Sequence, residues 1–312
     1  MKVFSTFSGI GGFEVGIERA FDEVEQRRRR QAEGSLETTL PDVISQPDER
    51  QHAACIGYSE IDKYAIKVYE RNFPNVKNYG DITKINAKEL PDFDCLVGGF
   101  PCQAFSIAGK RKGFEDTRGT LFFDLARILR AKQPRLFVFE NVKGLLSHDG
   151  GQTFKTIIQT IDELGYDCQW QVLNSKNFGV PQNRERVYIV GHLRGTPRPE
   201  VFPIIGANSE DIVQLNQPTH SNDRVYASDG ISPTLNTMQG GNRQPFIAED
   251  VRIRRLTPRE CEALQGFPQD WTAEGIDGPI SATQRYKMCG NAVTTNVVQA
   301  VFERIFSTIE DL

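Results

Sequence analysis

Short apolar runs alternate with amphipathic stretches along the first two-thirds of the chain. Lys2-Val-Phe-Ser-Thr6 opens the series, followed by the turn Phe7-Ser-Gly-Ile-Gly-Gly12 and a helical pattern to about Val24. Ala53-Ala-Cys-Ile-Gly-Tyr58 is a second strand, with a helix from about Lys63 to Asn72. Cys95-Leu-Val97 belongs to a third strand, and Thr120 to Lys132 has helical spacing. Leu136-Phe-Val-Phe139 is wholly apolar, Phe154 to Leu164 is helical, and Arg186-Val-Tyr-Ile-Val190 is a late strand. Continuous apolar strands separated by amphipathic helices predict an α/β fold, a mostly parallel, doubly wound sheet covered on both faces.

Two stretches break this rhythm. From about Gln26 to His52 the chain carries Arg27-Arg-Arg-Arg30 and then polar residues with little periodicity, which predicts a mobile surface insertion. The four arginines either form a solvated charge run or touch a polyanion. From about Gly195 to Asp250 the chain is rich in Pro, Gly, Asn, Ser and Asp, and reads as a small, loop-rich second domain. Helical patterns return over Thr257–Leu264, Thr283–Met288 and Ala292–Ile309. The last places Val293, Val297, Val301, Ile305 and Ile309 on one face and needs a partner, expected on the flank of the first domain. The expected division is 1–194, 195–250, and a return of 251–312 to the first domain.

Composition narrows the class. With 38% hydrophobic and 25% charged residues, 312 residues can bury a full core and a smaller second one. No apolar run approaches the roughly 18–20 residues that span a bilayer, and Met1 to Gly9 lacks the apolar core of a signal peptide, so an intracellular, cytoplasmic protein is expected. The six cysteines include no Cys-x-x-Cys pair, which argues against both a zinc site and a disulfide framework. Four histidines leave little material for His-based acid/base chemistry. A net charge of −4 does not advertise nucleic-acid binding, but a local basic face matters more than the total.

Candidate chemistry gathers at the ends of the strands, where open α/β sheets bind ligands. Gly98, Gly99 and Pro101 turn the chain after the third strand and place Cys102 at its carboxyl edge, as a nucleophile or as a small buried hydrophobe. The Gly-rich first turn allows close backbone approach and offers helix N–H groups, although it also builds a tight strand–helix corner. Its spacing is not the full dinucleotide fingerprint, and Glu14 near the helix start would repel a pyrophosphate, which points to a nucleoside without phosphates. Glu60 at the end of the second strand suits ribose hydroxyls. Asp62 is either a ribose ligand or a helix-terminal charge, and Asp81 either meets an adenine amino group or caps a helix. Glu140 at the mouth of the most apolar strand has a raised pKa if enclosed and can then donate a proton; the alternative is a carboxylate bonded to backbone amides. Arg184 and Arg186, two apart at a strand start, are candidate anchors for a phosphate or a base carbonyl.

Taken together, Gly98-Gly-Phe-Pro-Cys-Gln103, Glu140-Asn-Val142, Gln182-x-Arg-x-Arg186 and Gly290-Asn-Ala-Val293 occur in the order found in cytosine-C5 DNA methyltransferases. Phe7–Gly12, Glu60, Gly80-Asp81 and Arg118-Gly-Thr-Leu-Phe-Phe-Asp124 extend the resemblance over nearly the whole chain. The main departure from compact bacterial members is the stretch 26–52. The resemblance implies an S-adenosylmethionine-dependent, Rossmann-like catalytic domain with a small target-recognition domain. It casts Cys102 as the nucleophile adding to C6 of a flipped-out cytosine, and Glu140 as the group that holds the base and protonates N3. Arg184 would anchor the adduct, with Arg186 in support. Phe7, Gly9, Gly11 and Gly12 would surround the cofactor, which leaves as S-adenosylhomocysteine. Glu60, Ile61, Asp81 and Ile82 would join them, with Leu121 and Asn291-Ala292-Val293 completing the site, and no metal is implied.

For DNA, the resemblance implies contacts from Gln103 and Ser106 and from the basic run Lys110, Arg111 and Lys112, on a loop closing over the minor groove. Asp223-Arg-Val-Tyr226, Thr234-Leu235 and Gln239-Gly-Gly241 resemble the recognition segment of the smallest bacterial members. Arg224 is either a base-reading arginine or part of a structural salt bridge, and Thr234 is a further DNA contact. A monomer acting on double-stranded DNA is expected, in a bacterial, archaeal or phage setting, paired with a restriction endonuclease of the same site that it does not touch. An RNA cytosine methyltransferase, an inactive DNA-binding regulator and a nicotinamide-dependent oxidoreductase are the competing classes.

Overall fold

A computed structural model describes residues 1–34, 53–101, 121–207, 212–218, 223–237, 244–249 and 252–309. Its centre is a six-stranded sheet in the order β2-β1-β3-β4-β7-β5. The strands are β1 (Lys2–Thr6), β2 (Ala54–Ser59), β3 (Cys95–Gly99), β4 (Leu136–Val142), β5 (Tyr166–Asn174) and β7 (Glu185–Leu193). Neighbours from β2 to β4 are parallel, and β7 runs antiparallel to both β4 and β5. The mostly parallel sheet is therefore as expected, with one reversed strand. Leu96, Phe137 and Phe139 pack one face, and Val97, Val138 and Val190 the other, which is why these strands carry no polar alternation.

β5 has no counterpart among the expected strands. It is an edge strand, and its polar side chains are used. Gln169 Nε2 donates to Pro199 O (2.7 Å), and Gln171 Nε2 donates to Ile204 O (3.0 Å) while its Oε1 accepts from Ile204 N (2.8 Å). Segment 199–204 thus covers the edge in place of another strand, and Val201 is fully buried in the main core. Residues 199–204, just beyond the expected boundary at 194/195, thus pack on the central sheet.

Helix α1 (Gly12–Gly34) runs ten residues past its expected end at Val24. Phe13, Ile17, Ala20 and Val24 form its buried face, packed with Val297, Val301, Phe302 and Ile305 of helix α7 (Thr295–Thr308). The expected flank partner of the C-terminal helix is this one. Fully burying each valine, isoleucine or phenylalanine among them contributes about 1.5–3 kcal/mol. The arginines expected in a mobile insertion are instead on the last turns of α1. Arg27 pairs with Glu23 and Glu303, both at 2.9 Å, and Arg28 donates to Phe306 O (2.7 Å). Docking on α7 and an i,i+4 pair supply the order that composition did not reveal. Residues 35–52 lie outside the described residues.

Helices α2 (Lys63–Asn72), α3 (Leu121–Lys132) and α4 (Gln152–Glu163) cover the sheet. A short pair, β6 (Gln182–Asn183) and β9 (Ser232–Pro233), precedes β7 in space. Beyond it lies a small sheet of β8 (Val225–Ala227), β10 (Phe246–Glu249) and β11 (Arg252–Arg255). The antiparallel β10–β11 pair has its two strands on either side of the expected boundary at 250/251. The chain returns through α5 (Pro258–Leu264), opened by a Thr257/Glu260 capping box, and α6 (Ala282–Asn291). Among the described residues no helix is long and apolar enough to cross a membrane.

Candidate active site

A cleft of about 790 Å³ opens along the carboxyl ends of the parallel strands. After β1 the chain adopts left-handed backbone at Phe7 (φ 51°), Gly9 (φ 55°) and Gly11 (φ 87°). Glycine accepts this freely, whereas Phe7 is held there against its preference, as happens at functional loops. Glu60 ties the loop to β2. Its Oε2 accepts from Gly9 N (2.9 Å), and its Oε1 accepts from Ile61 N (2.7 Å) and Asp62 N (2.8 Å). Asp62 caps α2 through Tyr64 N and pairs with Lys287 Nζ at 2.5 Å, the helix-terminal role among its two alternatives, and it also lines the cleft. From the far side, Trp271 Nε1 donates to Ile10 O (2.8 Å).

At the other end of the cleft, β4 delivers Glu140, 8% exposed, with its Oε1 2.9 Å from Arg186 Nε. Burial pushes the Glu140 pKa up, opposed by the charges of Arg186 and Arg184. The enclosed carboxyl is thus present, held by a guanidinium rather than by backbone amides. Gly99 lies between the two ends; a Cβ there would stand 3.1 Å from Glu140 Oε2. Asn141 Nδ2 donates to Phe100 O (2.9 Å) and fixes the turn leading to Pro101, which lines the cleft.

Arg184 is 3% exposed. Its Nη1 donates to Leu235 O (3.2 Å), and its Nη2 to Gly290 O (3.2 Å) and Ala292 O (2.9 Å). Burial first, and Arg186 beside it, lower its pKa to about 10. The Nε–H has no acceptor among the described residues. The carboxylate contact is therefore made by Arg186, while Arg184 is held by main-chain carbonyls.

Of the expected cofactor residues, Phe7, Gly9, Glu60 and Asn291 line the cleft. Gly11 and Gly12 are not among the cleft's lining and serve close packing: Cβ atoms there would lie 2.3 Å from the Phe73 ring and 2.7 Å from Val293 Cγ2. Ile61 is 72% exposed, Ile82 and Ala292 are buried, and Leu121 packs with the core. Asp81 caps a 3-10 turn through Thr83 N (3.0 Å), one of the two roles open to it. Glu14 is not at the ligand's mouth. It is 3% exposed, accepts from Tyr69 Oη (2.9 Å), and burial raises its pKa. An acidic lining comes from Glu60 and Asp62 instead.

Among the expected DNA residues, Thr234 lines the cleft and its Oγ1 donates to Asn183 O (2.6 Å). Arg224 is exposed and forms no ion pair among the described residues. Cys102, Gln103, Ser106, Lys110, Arg111 and Lys112 lie outside the described residues. Asn236, Thr237 and Met288 also line the cleft, and sequence reasoning gave none of them a role. No local pattern marks them, because they reach the cleft through tertiary packing.

A mostly parallel sheet, a glycine loop tied to Glu60 and a buried Glu140–Arg186 pair fit a methyltransferase-type α/β enzyme. The family model for C-5 cytosine-specific DNA methylase matches residues 1–239 and 202–307. The chain is 40% identical to the type II methyltransferase M1.ScrFI of Lactococcus lactis subsp. cremoris, over 99% of this chain and 79% of that one. It is 37% identical to the type II methyltransferase M.HhaI of Haemophilus parahaemolyticus, over 99% and 95% respectively. Its fold superposes on S. pombe Dnmt2 methyltransferase with a TM-score of 0.67 at 16% identity, covering 98% of both chains. The chain belongs to the C-5 cytosine-specific DNA methylase family, and is an enzyme that methylates cytosine in DNA.

Proposed function

We propose that the enzyme takes its methyl group from S-adenosylmethionine and acts on a cytosine extruded from a specific duplex sequence, through a covalent bond to Cys102. The observation that carries this reading is the buried Glu140–Arg186 pair beside the turn that ends at Pro101, the residue before Cys102. A cytosine stacked in a duplex cannot reach a group this enclosed, so the base must leave the stack. The cofactor end of the cleft fits a phosphate-free nucleoside. Its carboxylates, Glu60 and Asp62, suit hydroxyl and amino donors and would repel a pyrophosphate. When bound there, S-adenosylmethionine supplies an electrophilic methyl on a sulfonium. Phe7, Gly9, Glu60 and Asn291 would hold it.

The chain's own residues do the activation. The Cys102 thiolate forms a bond to C6 as the C5–C6 π pair moves towards C5, and Glu140 delivers a proton to N3 so that full negative charge does not build up. Arg186 keeps the carboxyl oriented. With the methyl on C5, a base takes the C5 proton, the C–H electron pair re-forms the C5–C6 double bond and expels the thiolate, and N3 returns its proton to Glu140. We place DNA recognition in the segment from about 208 to 255, with Arg224 and Thr234 facing the duplex. The basic run Lys110, Arg111 and Lys112 adds phosphate contacts. The enzyme acts as a monomer in the cytoplasm of a bacterium, archaeon or phage-infected cell, beside a restriction endonuclease of the same site. Cys102→Ala should abolish methyl transfer while cofactor affinity, read by calorimetry, stays within about threefold of wild type. Substantial residual transfer would sink the nucleophile assignment.

A further inference from the structure

We propose that Arg184 is a positioning residue that joins the recognition segment to the reaction centre, so that DNA sequence is read at the catalytic step as well as in binding. This inference rests on the reading of residues 208–255 as the recognition unit.

A buried guanidinium normally sits against a carboxylate. Arg184 does not: its bonded N–H groups go to three main-chain carbonyls, those of Leu235, Gly290 and Ala292. Charge-assisted bonds to carbonyls are strong only when each carbonyl is aimed at the donor. The cation therefore fixes two separate segments about itself. One is the run after β9; the other is the C-terminal end of α6, where Gly290 and Asn291 line the same cleft.

The neighbouring residues make the same junction. Ser232 N donates to Pro181 O (2.7 Å), and β6 pairs with β9 at Gln182–Ser232 and Asn183–Pro233. Gln182 is fully buried; its Oε1 accepts from Leu235 N (3.0 Å) and its Nε2 donates to Leu264 O (2.7 Å). Two residues beyond Arg184, Arg186 holds Glu140. A shift of segment 232–237 on a wrong sequence therefore reaches the catalytic carboxyl through two residues of backbone. A fit on the right sequence leaves the pair aligned.

Lysine at position 184 keeps the charge but cannot bond in a planar fork to carbonyls on several sides. The test measures single-turnover methylation of the target duplex and of the same duplex with one base pair beside the target cytosine changed, for wild type and Arg184→Lys. The discrimination between the two duplexes should fall at least about tenfold, while cofactor affinity stays within about twofold. Equal losses on both duplexes, with discrimination preserved, would mean that Arg184 acts on the base itself, and would overturn the proposal. If Arg184→Lys does not fold, Gln182→Met removes the second bridge without a charge change and must show the same collapse; preserved discrimination there overturns it equally. Failure of the underlying reading is separate, since wild type would then discriminate between no duplexes at all.

Discussion

Gly290→Ala tests how closely the recognition segment must approach the cleft. Gly290 lies in the last turn of α6 without left-handed backbone, so alanine suits its conformation and adds helix propensity of up to about 1 kcal/mol. The obstacle is steric alone. The new Cβ would stand 2.0 Å from Asn236 O, 2.5 Å from Asn236 C and 2.8 Å from Thr237 Cα. All three are main-chain atoms that no rotamer change removes. Real Cβ contacts stay beyond 3.0 Å, so the segments must part by about 1 Å. The α6 side is anchored by the Lys287–Asp62 pair and by buried Met288 and Cys289, so segment 235–237 is the part that yields. Overpacking of this kind costs about 1–3 kcal/mol, and a misplacement of about 1 Å at a reacting centre costs on the order of 100-fold in rate. The assay is single-turnover methyl incorporation into duplex DNA, with calorimetry of the cofactor alongside and a melting curve to confirm folding. A folded variant with about 100-fold slower transfer and near-normal cofactor affinity is expected. Transfer within about threefold of wild type would refute the argument that this contact sets the catalytic geometry.

Glu140→Gln should slow exchange of the cytosine C5 hydrogen by about 100- to 10,000-fold, and should remove the fall in wild-type exchange expected as pH rises through the raised Glu140 pKa. An unchanged exchange rate and pH profile would refute the proton-donor role. Glu14→Gln acts on stability. Because burial raises the folded pKa of Glu14, the folded state binds more protons than the unfolded one between the two pKa values. Its contribution is complete below the unfolded value and is lost as pH rises through the folded value. The glutamine variant should therefore gain melting temperature relative to wild type at pH 8, with the gain shrinking towards pH 4. A pH-independent difference would contradict a buried, titrating carboxyl.

The enclosed carboxyl of Glu140, the turn from Gly99 to Pro101 and the glycine loop were legible because each lies at or just beyond the carboxyl end of a strand. The full length of α1 was not. Arg27 and Arg28 look like a solvated run in sequence, and only the facing Glu303 and Phe306 carbonyl, nearly the whole chain away, give them a helix to complete. β5 escaped for a related reason: Gln169 and Gln171 break an apolar pattern because they cap an edge with side-chain amides. The roles of the two arginines depended on which carbonyls and carboxylates fold around them, and spacing cannot supply that. Glu14 shows the opposite error. Its position at the helix start was read correctly, but its side chain turns to Tyr69 rather than to the ligand.

The central claim is cytosine C5 methylation in duplex DNA with S-adenosylmethionine as donor. The direct measurement is nucleoside mass spectrometry of duplex DNA incubated with the protein and S-adenosylmethionine, resolved chromatographically against methylated standards. The account predicts 5-methyl-2′-deoxycytidine from wild type, none from Cys102→Ala, and none when the cofactor is withheld. Methylation on an exocyclic amine, on adenine, or undiminished in Cys102→Ala would contradict it.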